Sequence, residues 1–422
     1  MRLFGISSLK NFKKIIKIWF FGKIVEDQKH KLRVIYPLAF IGDLNLSLLL
    51  VLSVLYATNV GLSTIEVGLI GGAYGFAYLF MPMILGRLSD KISRKISLMI
   101  ATSTQAILAL LFLFFVSQPG NFIFFGLFLI LFLYGIVYGF FWPSIEAFVS
   151  ENTEHSSEAH EKGIATFCIS WSLGFAVGPF FAGIFYDFNM ILGLFLVFVV
   201  FIAAFILILL KMPMIKPKKK EQSVKNSDLN NHVNFNSNSK KILILLLMGV
   251  MIYATISKTL LSYFTNYAAL PEGLNWNGTL IGQIIFFFGL GRTFYFIIAL
   301  YLKNSFKAIT QSFFVIGFCL IALALCTPPV LIAIIFFITG FFVGRTYLVS
   351  LELLLKYEQE KKGAKAGIFE SIVGIGSALS PLFAGMIATI NLKMPYYFFA
   401  SIVLLFAIVH FLLKKNIYLE MN

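Results

Sequence analysis

Charge is scarce in this 422-residue chain. Asp, Glu, Lys and Arg make up 13% of it, about half the share of an ordinary soluble domain. Mean hydropathy is +0.89. Such a chain has too few charged groups to cover a soluble surface. Cysteine is scarce too. Cys168, Cys319 and Cys326 all lie in apolar stretches with no His at ligand spacing. They read as small buried hydrophobes, and neither a disulfide framework nor a zinc site is expected. The five His (His30, His155, His160, His232 and His410) fall in tails, loops or near the end of an apolar stretch. There is no nucleotide-binding loop, no cluster of metal ligands and no Ser–His–acid arrangement. ATP-driven pumping and intramembrane hydrolysis both lack their parts, so no enzyme activity and no cofactor are expected.

The most informative scarcity is positional. Twelve long apolar stretches can be marked off, at roughly 34–57, 66–86, 96–116, 122–149, 163–186, 190–210, 242–266, 279–302, 308–326, 331–355, 367–389 and 395–413. Most are near the ~20 residues that a bilayer core requires of a helix. Of the 34 Lys and Arg, 30 fall in the tails and in every second connection. The intervening loops hold one, Lys393, and Lys258, Arg292 and Arg345 lie inside apolar stretches. This is the positive-inside pattern. It predicts a multi-pass protein of the cell membrane with both termini cytoplasmic. The formal charge of +15 then belongs with anionic lipid headgroups rather than nucleic acid.

The predicted fold is all-α. Residues 1–31 form a basic segment in which Lys10, Lys13, Lys14 and Lys17 recur at helical spacing among Ile15, Ile16, Ile18, Trp19 and Phe20. An amphipathic helix on the cytoplasmic leaflet and a basic tail without structure both fit it. It has no long apolar core or small-residue cleavage site, and so does not read as a signal peptide. Residues 32–210 hold six spans. Residues 211–241, with Lys218-Lys219-Lys220 followed by Asn, Ser and His, form a polar cytoplasmic linker. Residues 242–415 hold six more spans, and 416–422 a short tail.

The two sets of six echo each other. Gly174, Gly178, Pro179, Ala182 and Gly183 in span five match Gly376, Ser380, Pro381, Ala384 and Gly385 in span eleven. Gly135/Gly139 in span four match Gly340/Gly344 in span ten. Small residues four apart are common in membrane helices, so the five-residue match carries more weight. Twelve transmembrane helices in two pseudo-symmetric six-helix bundles are predicted, the layout of a rocker-switch carrier.

The loop between spans two and three reads Gly86-Arg87-Leu88-Ser89-Asp90-Lys91-Ile92-Ser93-Arg94-Lys95. It resembles the signature loop of the major facilitator superfamily, with Ser93 where that pattern has a second Gly. The resemblance covers residues 32–415. It implies a cytoplasmic gate: Asp90 against helix ends of the opposite half, and Arg94 paired with Glu151 or the deeper Glu146. The span-five pattern of Gly174, Gly178, Pro179 and Gly183 resembles the family's antiporter motif, a sign of the drug-exporter-like branch. Its physical content is a kinked, closely packed helix. Where proton-coupled members often carry Arg in span four, this chain has Leu131.

An ionisable group at the centre of a span costs roughly 2.5–3.5 kcal/mol, so each one calls for a role. Asp43 lies near the middle of span one, on a face with Tyr36, Phe40 and Ser47. It is the leading candidate for a proton or substrate site, against a structural salt bridge. Arg292 lies near the middle of span eight, flanked by Gly289 and Gly291. It is a candidate for an anionic substrate group or for pairing with Asp43. Arg345 and Glu352 share a face of span ten, in substrate contact or gating. Glu146 and Glu370 sit nearer the span ends and read as gate residues. Lys258 is expected to snorkel outward. Tyr134, Tyr138, Trp142, Trp171, Tyr253 and Tyr295 are candidate cavity aromatics.

The expected function is secondary active transport. The leading form is proton- or ion-coupled export of a small organic molecule by a monomeric carrier. Uptake of an anionic metabolite, a lipid translocase and a non-transporting receptor are the alternatives.

Overall fold

A computed structural model describes residues 26–116, 121–153, 157–214, 237–299, 301, 306–357 and 362–421. Most of the basic N-terminal segment, most of the linker and the last residue lie outside the described residues. Everything regular that is described is helical: α1 (Glu26–Asn59), α2 (Thr64–Tyr78), α3 (Met81–Ile92), α4 (Arg94–Val116), α5 (Asn121–Glu151) and α6 (Ser157–Lys211) in the first half of the chain. The second half holds α7 (Ser237–Lys258), a π turn (Thr259–Tyr263), α8 (Phe264–Ala269), α9 (Gly278–Ala299), α10 (Phe306–Leu325), α11 (Pro329–Tyr357), α12 (Lys362–Ala388) and α13 (Met394–Met421). Ten of these stretches are long and apolar enough to cross a bilayer. The protein is therefore a multi-pass, all-helical membrane protein.

Local chemistry explains the helix ends and breaks. The Ser63 hydroxyl accepts from the Glu66 amide while Glu66 accepts from the Ser63 amide, a reciprocal cap that starts α2. The second apolar stretch is not one straight span: α2 and α3 meet at a bend of 41°. Pro82 in the first turn of α3 has no N–H to continue the α2 ladder. The 55-residue α6 is interrupted at Asn189, whose backbone is extended (φ −165°, ψ 104°). The Asn189 side chain accepts from the amides of Ile191 and Leu192 and restarts the helix.

Close backbone approach determines which helices pair. α6 packs most extensively on α1 and α9, and α12 on α2 and α7. At Gly174 an added methyl would strike the Phe40 carbonyl of α1, and at Gly178 the Leu44 carbonyl. Gly183 lies against Gly278 of α9. The matching residues of α12 make matching contacts. Gly376 abuts Ala254 and Thr255 of α7, and Gly385 abuts the Thr64 carbonyl of α2. The sequence echo is thus an echo of contacts, in which each of these two proline-bearing helices meets the first helix of its own half and the second apolar stretch of the other.

The two halves are tied at the end that holds the 59–63, 187–189 and 389–393 connections. Asp187 accepts from the Gly278 and Thr279 amides and the Thr279 hydroxyl, capping α9 from across the interface. Thr64 donates to the Gly385 carbonyl. Asn266 donates to Thr58 Oγ1 at 2.8 Å.

Two expectations follow. Gly178→Ala should destabilise the protein by about 1–3 kcal/mol, because the new methyl meets backbone that cannot swing away; a thermal melt in detergent reads this as a lower Tm. Ser93, between α3 and α4, holds φ at +146°, a region that disfavours any side chain. Ser93→Gly should therefore gain about 1 kcal/mol, seen as a higher Tm; an unchanged or lower Tm would remove strain from this turn.

Candidate functional site

One cavity lies among α1, α2, α5, α6, α7, α11 and α12, and so draws on both halves of the chain. Its charged lining is Asp43, Glu146, Lys258 and Glu370, and its walls are mostly aromatic. Trp142, Trp171 and Tyr253 are among those walls; Tyr134, Tyr138 and Tyr295 are not. Tyr134 and Tyr138 have spent their hydroxyls on helix packing, donating to the Gln105 and Gly42 carbonyls. Tyr74, Tyr78 and Tyr347 line the cavity without having been singled out by the sequence. Periodicity marks helix faces but does not say which face meets a cavity.

Asp43 is buried and points into this cavity. The face expected for it is divided. Ser47 turns its hydroxyl back to the Asp43 carbonyl at 2.6 Å and meets Gly178 of α6, while Asp43 lines the cavity. Two cations act on Asp43 electrostatically, Arg292 first and Lys258 second.

Arg292 is fully buried and lies behind the cavity wall. Its guanidinium carbon sits 4.1 Å from the Phe175 ring centre and 4.5 Å from that of Trp171. Its Nε donates to Ser172 Oγ at 2.9 Å, and its two terminal nitrogens make no hydrogen bond. A direct Asp43–Arg292 ion pair is therefore not formed. Ring faces take the place of a carboxylate, a favourable arrangement for guanidinium in a dry site.

Lys258 departs from expectation. It does not snorkel outward: it is buried, lines the cavity and holds Nζ 4.9 Å from the Tyr74 ring centre. It is the last residue before the π turn. An extra residue in a turn shifts the phase of the helix that follows, and such turns are frequent at functional sites. A straight-helix reading of the sequence misjudges the side chains around it.

Glu146 and Glu370 both line the cavity, close enough to act on each other electrostatically. Tyr78 donates to Glu370 Oε2, at 2.8 Å. The sequence placed both acids near span ends; the structure puts them in one wall with Asp43. Arg345 goes elsewhere. It is half-buried, outside the cavity lining, and donates to Gln311 Oε1 of α10 at 3.4 Å. Glu352 is half-buried one face along, where its charge and that of Arg345 both act on Tyr295.

At the α3–α4 turn, Arg94 donates to Ser89 Oγ at 2.8 Å and pairs with Glu151 at 3.1 Å. Glu151 is the exposed member of that pair. Gly86 packs on Pro143 of α5, three residues before Glu146; an added methyl would lie 3.3 Å from it. Asp90 falls within α3, and its side chain lies outside the described residues.

Neutralising Asp43 should leave two buried cations without a counter-charge. Asp43→Asn is expected to cost about 2 kcal/mol, and adding Lys258→Met should recover most of it. A double-mutant cycle of thermal melts measures the coupling; additive losses would mean that the two groups do not sense each other.

The comparisons with known proteins bear on family and fold. The sequence profile of the Major Facilitator Superfamily matches residues 35–356. No curated protein matches the chain in sequence. Among solved structures, a POT family transporter in complex with 5-aminolevulinic acid is similar with a TM-score of 0.72 at 13% identity, covering 92% of this chain and 96% of that one. The human organic anion transporter MFSD10 (TETRAN) gives 0.66 at 14% identity, covering 91% and 99%. The nucleoside transporter NupG gives 0.65 at 15% identity, covering 91% and 99%. These likenesses are of fold. With the profile match over three quarters of its length, the chain belongs to the major facilitator superfamily of membrane transporters.

Proposed function

We propose that the chain is a proton-coupled secondary transporter that moves a small organic molecule by alternating access. The cavity is its substrate site and the membrane of the cell its location. Twelve spans in two pseudo-symmetric six-helix bundles fit the helices: the bent α2–α3 pair counts as one span, and the break at Asn189 divides α6 into two. The distribution of Lys and Arg supports cytoplasmic termini. The working unit is taken as a monomer.

The observation that carries proton coupling is the placing of Asp43, Glu146 and Glu370 in the lining of one buried cavity. Carboxylates gathered in a dry site repel one another, and a proton on one of them relieves that repulsion. Tyr78 donates to Glu370. On this reading the site handles protons where the substrate would bind, despite Leu131 in place of the usual Arg. Asp43, the third carboxyl, is assigned the proton or substrate role, with Arg292 setting its field from behind the wall. Arg345 supports α10 and α11 from outside the cavity. Gly86, Asp90, Arg94 and Glu151 form the cytoplasmic gate, with Glu352 at its rim.

Export in the manner of the drug-exporter-like branch is supported by the Gly174–Gly183 packing motif. A second reading, uptake of an anionic metabolite, is favoured by Lys258, a cation that opens into the cavity.

Purified protein in liposomes tests this with a substrate found by thermal shift. Asp43→Asn is expected to abolish flux driven by a pH gradient while keeping substrate exchange, since exchange needs no net proton release. Intact gradient-driven flux in Asp43→Asn would take the proton role from Asp43. Binding without any flux in the unaltered protein would reject transport in favour of a receptor, and flux of labelled lipid alone would favour a translocase.

A further inference from the structure

We propose that Lys258, Ser257 and Ser377 form the subsite for the carboxylate of an organic acid substrate. The inference rests on the reading of the cavity as the substrate site and names what that site recognises.

Three pieces of backbone come together here. Lys258 lies over Tyr74 of α2. The next residue, Gly75, meets the backbone of Ser377 and Ala378 of α12, and Gly376 meets Ala254 and Thr255 of α7. Ser257, Lys258 and Ser377 thus come from helices in close contact, and all three line the cavity with Tyr74. Ser257 and Ser377 are 3% and 1% exposed, and neither hydroxyl has a hydrogen-bond partner. Serines in membrane helices usually return their proton to a carbonyl one turn back; Ser47, Ser53 and Ser312 do so here. A buried hydroxyl without a partner carries a desolvation cost, which a ligand oxygen would remove. Among the described residues, the Lys258 ammonium has the ring face of Tyr74 as its close contact. Two hydroxyls and an ammonium are a set of donors, the complement of an anionic oxygen pair.

Arg292 is closed off by Trp171 and Phe175, so Lys258 is the cation in the cavity lining that a ligand can reach. One reachable ammonium suits a single carboxylate. The apolar remainder of the molecule would lie along Trp171, Tyr253 and Tyr347, which pack edge-to-face and tilted against one another in the same cavity.

The experiment is a thermal-shift titration of the purified full-length protein. The probes are monocarboxylates of differing tail size, phenylpropionate among them, each with the amine and the alcohol of the same skeleton. At least one carboxylate should raise Tm in a saturable way while its amine and alcohol do not. Lys258→Met should weaken that carboxylate roughly tenfold or more, as expected for a charge-assisted bond. Ser257→Ala/Ser377→Ala should weaken it less, and Lys258→Arg should retain binding. Stabilisation by the amine rather than the acid, no stabilisation by any carboxylate, or undiminished carboxylate binding in both Lys258→Met and the double serine variant would overturn the proposal. Because the titration reads binding without flux, a carboxylate that binds but is not carried leaves the subsite standing and removes only the transport reading.

Discussion

A bilayer offers no water to a buried charge, and the arrangement of this protein's interior follows from that constraint. Each ionisable group inside the spans must find an opposite charge, a ring face, a shared proton or a ligand. Several of these arrangements occur within one region. Arg292 takes two ring faces and a serine. Glu370 takes the Tyr78 hydroxyl and lies with Glu146 in the cavity lining. Asp43 is balanced at a distance by two cations. Lys258 has a ring face and an open cavity. Lys258, Ser257 and Ser377 face the space where the proposed substrate would sit.

The second constraint is how closely helices can approach where the halves meet. Hydrophobic burial does not draw helices together in lipid, so close backbone contact does more of the work. The Gly174–Gly183 and Gly376–Gly385 runs provide it at equivalent places in the two halves. The Asp187 carboxylate adds a directional tie by capping α9 from the other half. Contacts of this kind are short and specific, and they can be broken and remade as units. That suits the alternating access proposed for this protein.

The sequence was most readable where the membrane acts directly. Charge position marks the loops, because insertion distinguishes Lys and Arg from everything else. The break near Asn189 and the glycine runs lie where local chemistry pointed, and of the two partners the signature-loop resemblance implied for Arg94, the contact is with Glu151. Asp43 and Arg292 stood out because a charge in an apolar stretch is conspicuous at any rotation of its helix. Which way a side chain faces was not readable. Lys258 precedes a π turn that alters helix phase. Tyr138 and Trp142 are one turn apart, yet one bonds to α1 and the other lines the cavity. Arg345 turns toward α10 instead of inward. The meeting of Glu146 and Glu370 depends on tertiary packing between distant segments, and no spacing along the chain encodes it.

Proximity along α5 connects the cavity to the signature loop. Gly86 of α3 rests on Pro143, and Glu146 is less than one turn further on. At about 1.5 Å of rise per residue, the loop contact and Glu146 are only ~5 Å apart along the helix. Pro143 removes a backbone hydrogen bond here, making this the segment of α5 most able to bend. In the proposed cycle, loss of a proton would set the two neighbouring carboxylates against each other. The segment placed to yield is α5 at Pro143, against the glycine that packs on it. A proton bound in the cavity would then act on the same turn of helix as the proposed gate loop, and coupling over this distance would need no longer pathway than one proline and one glycine.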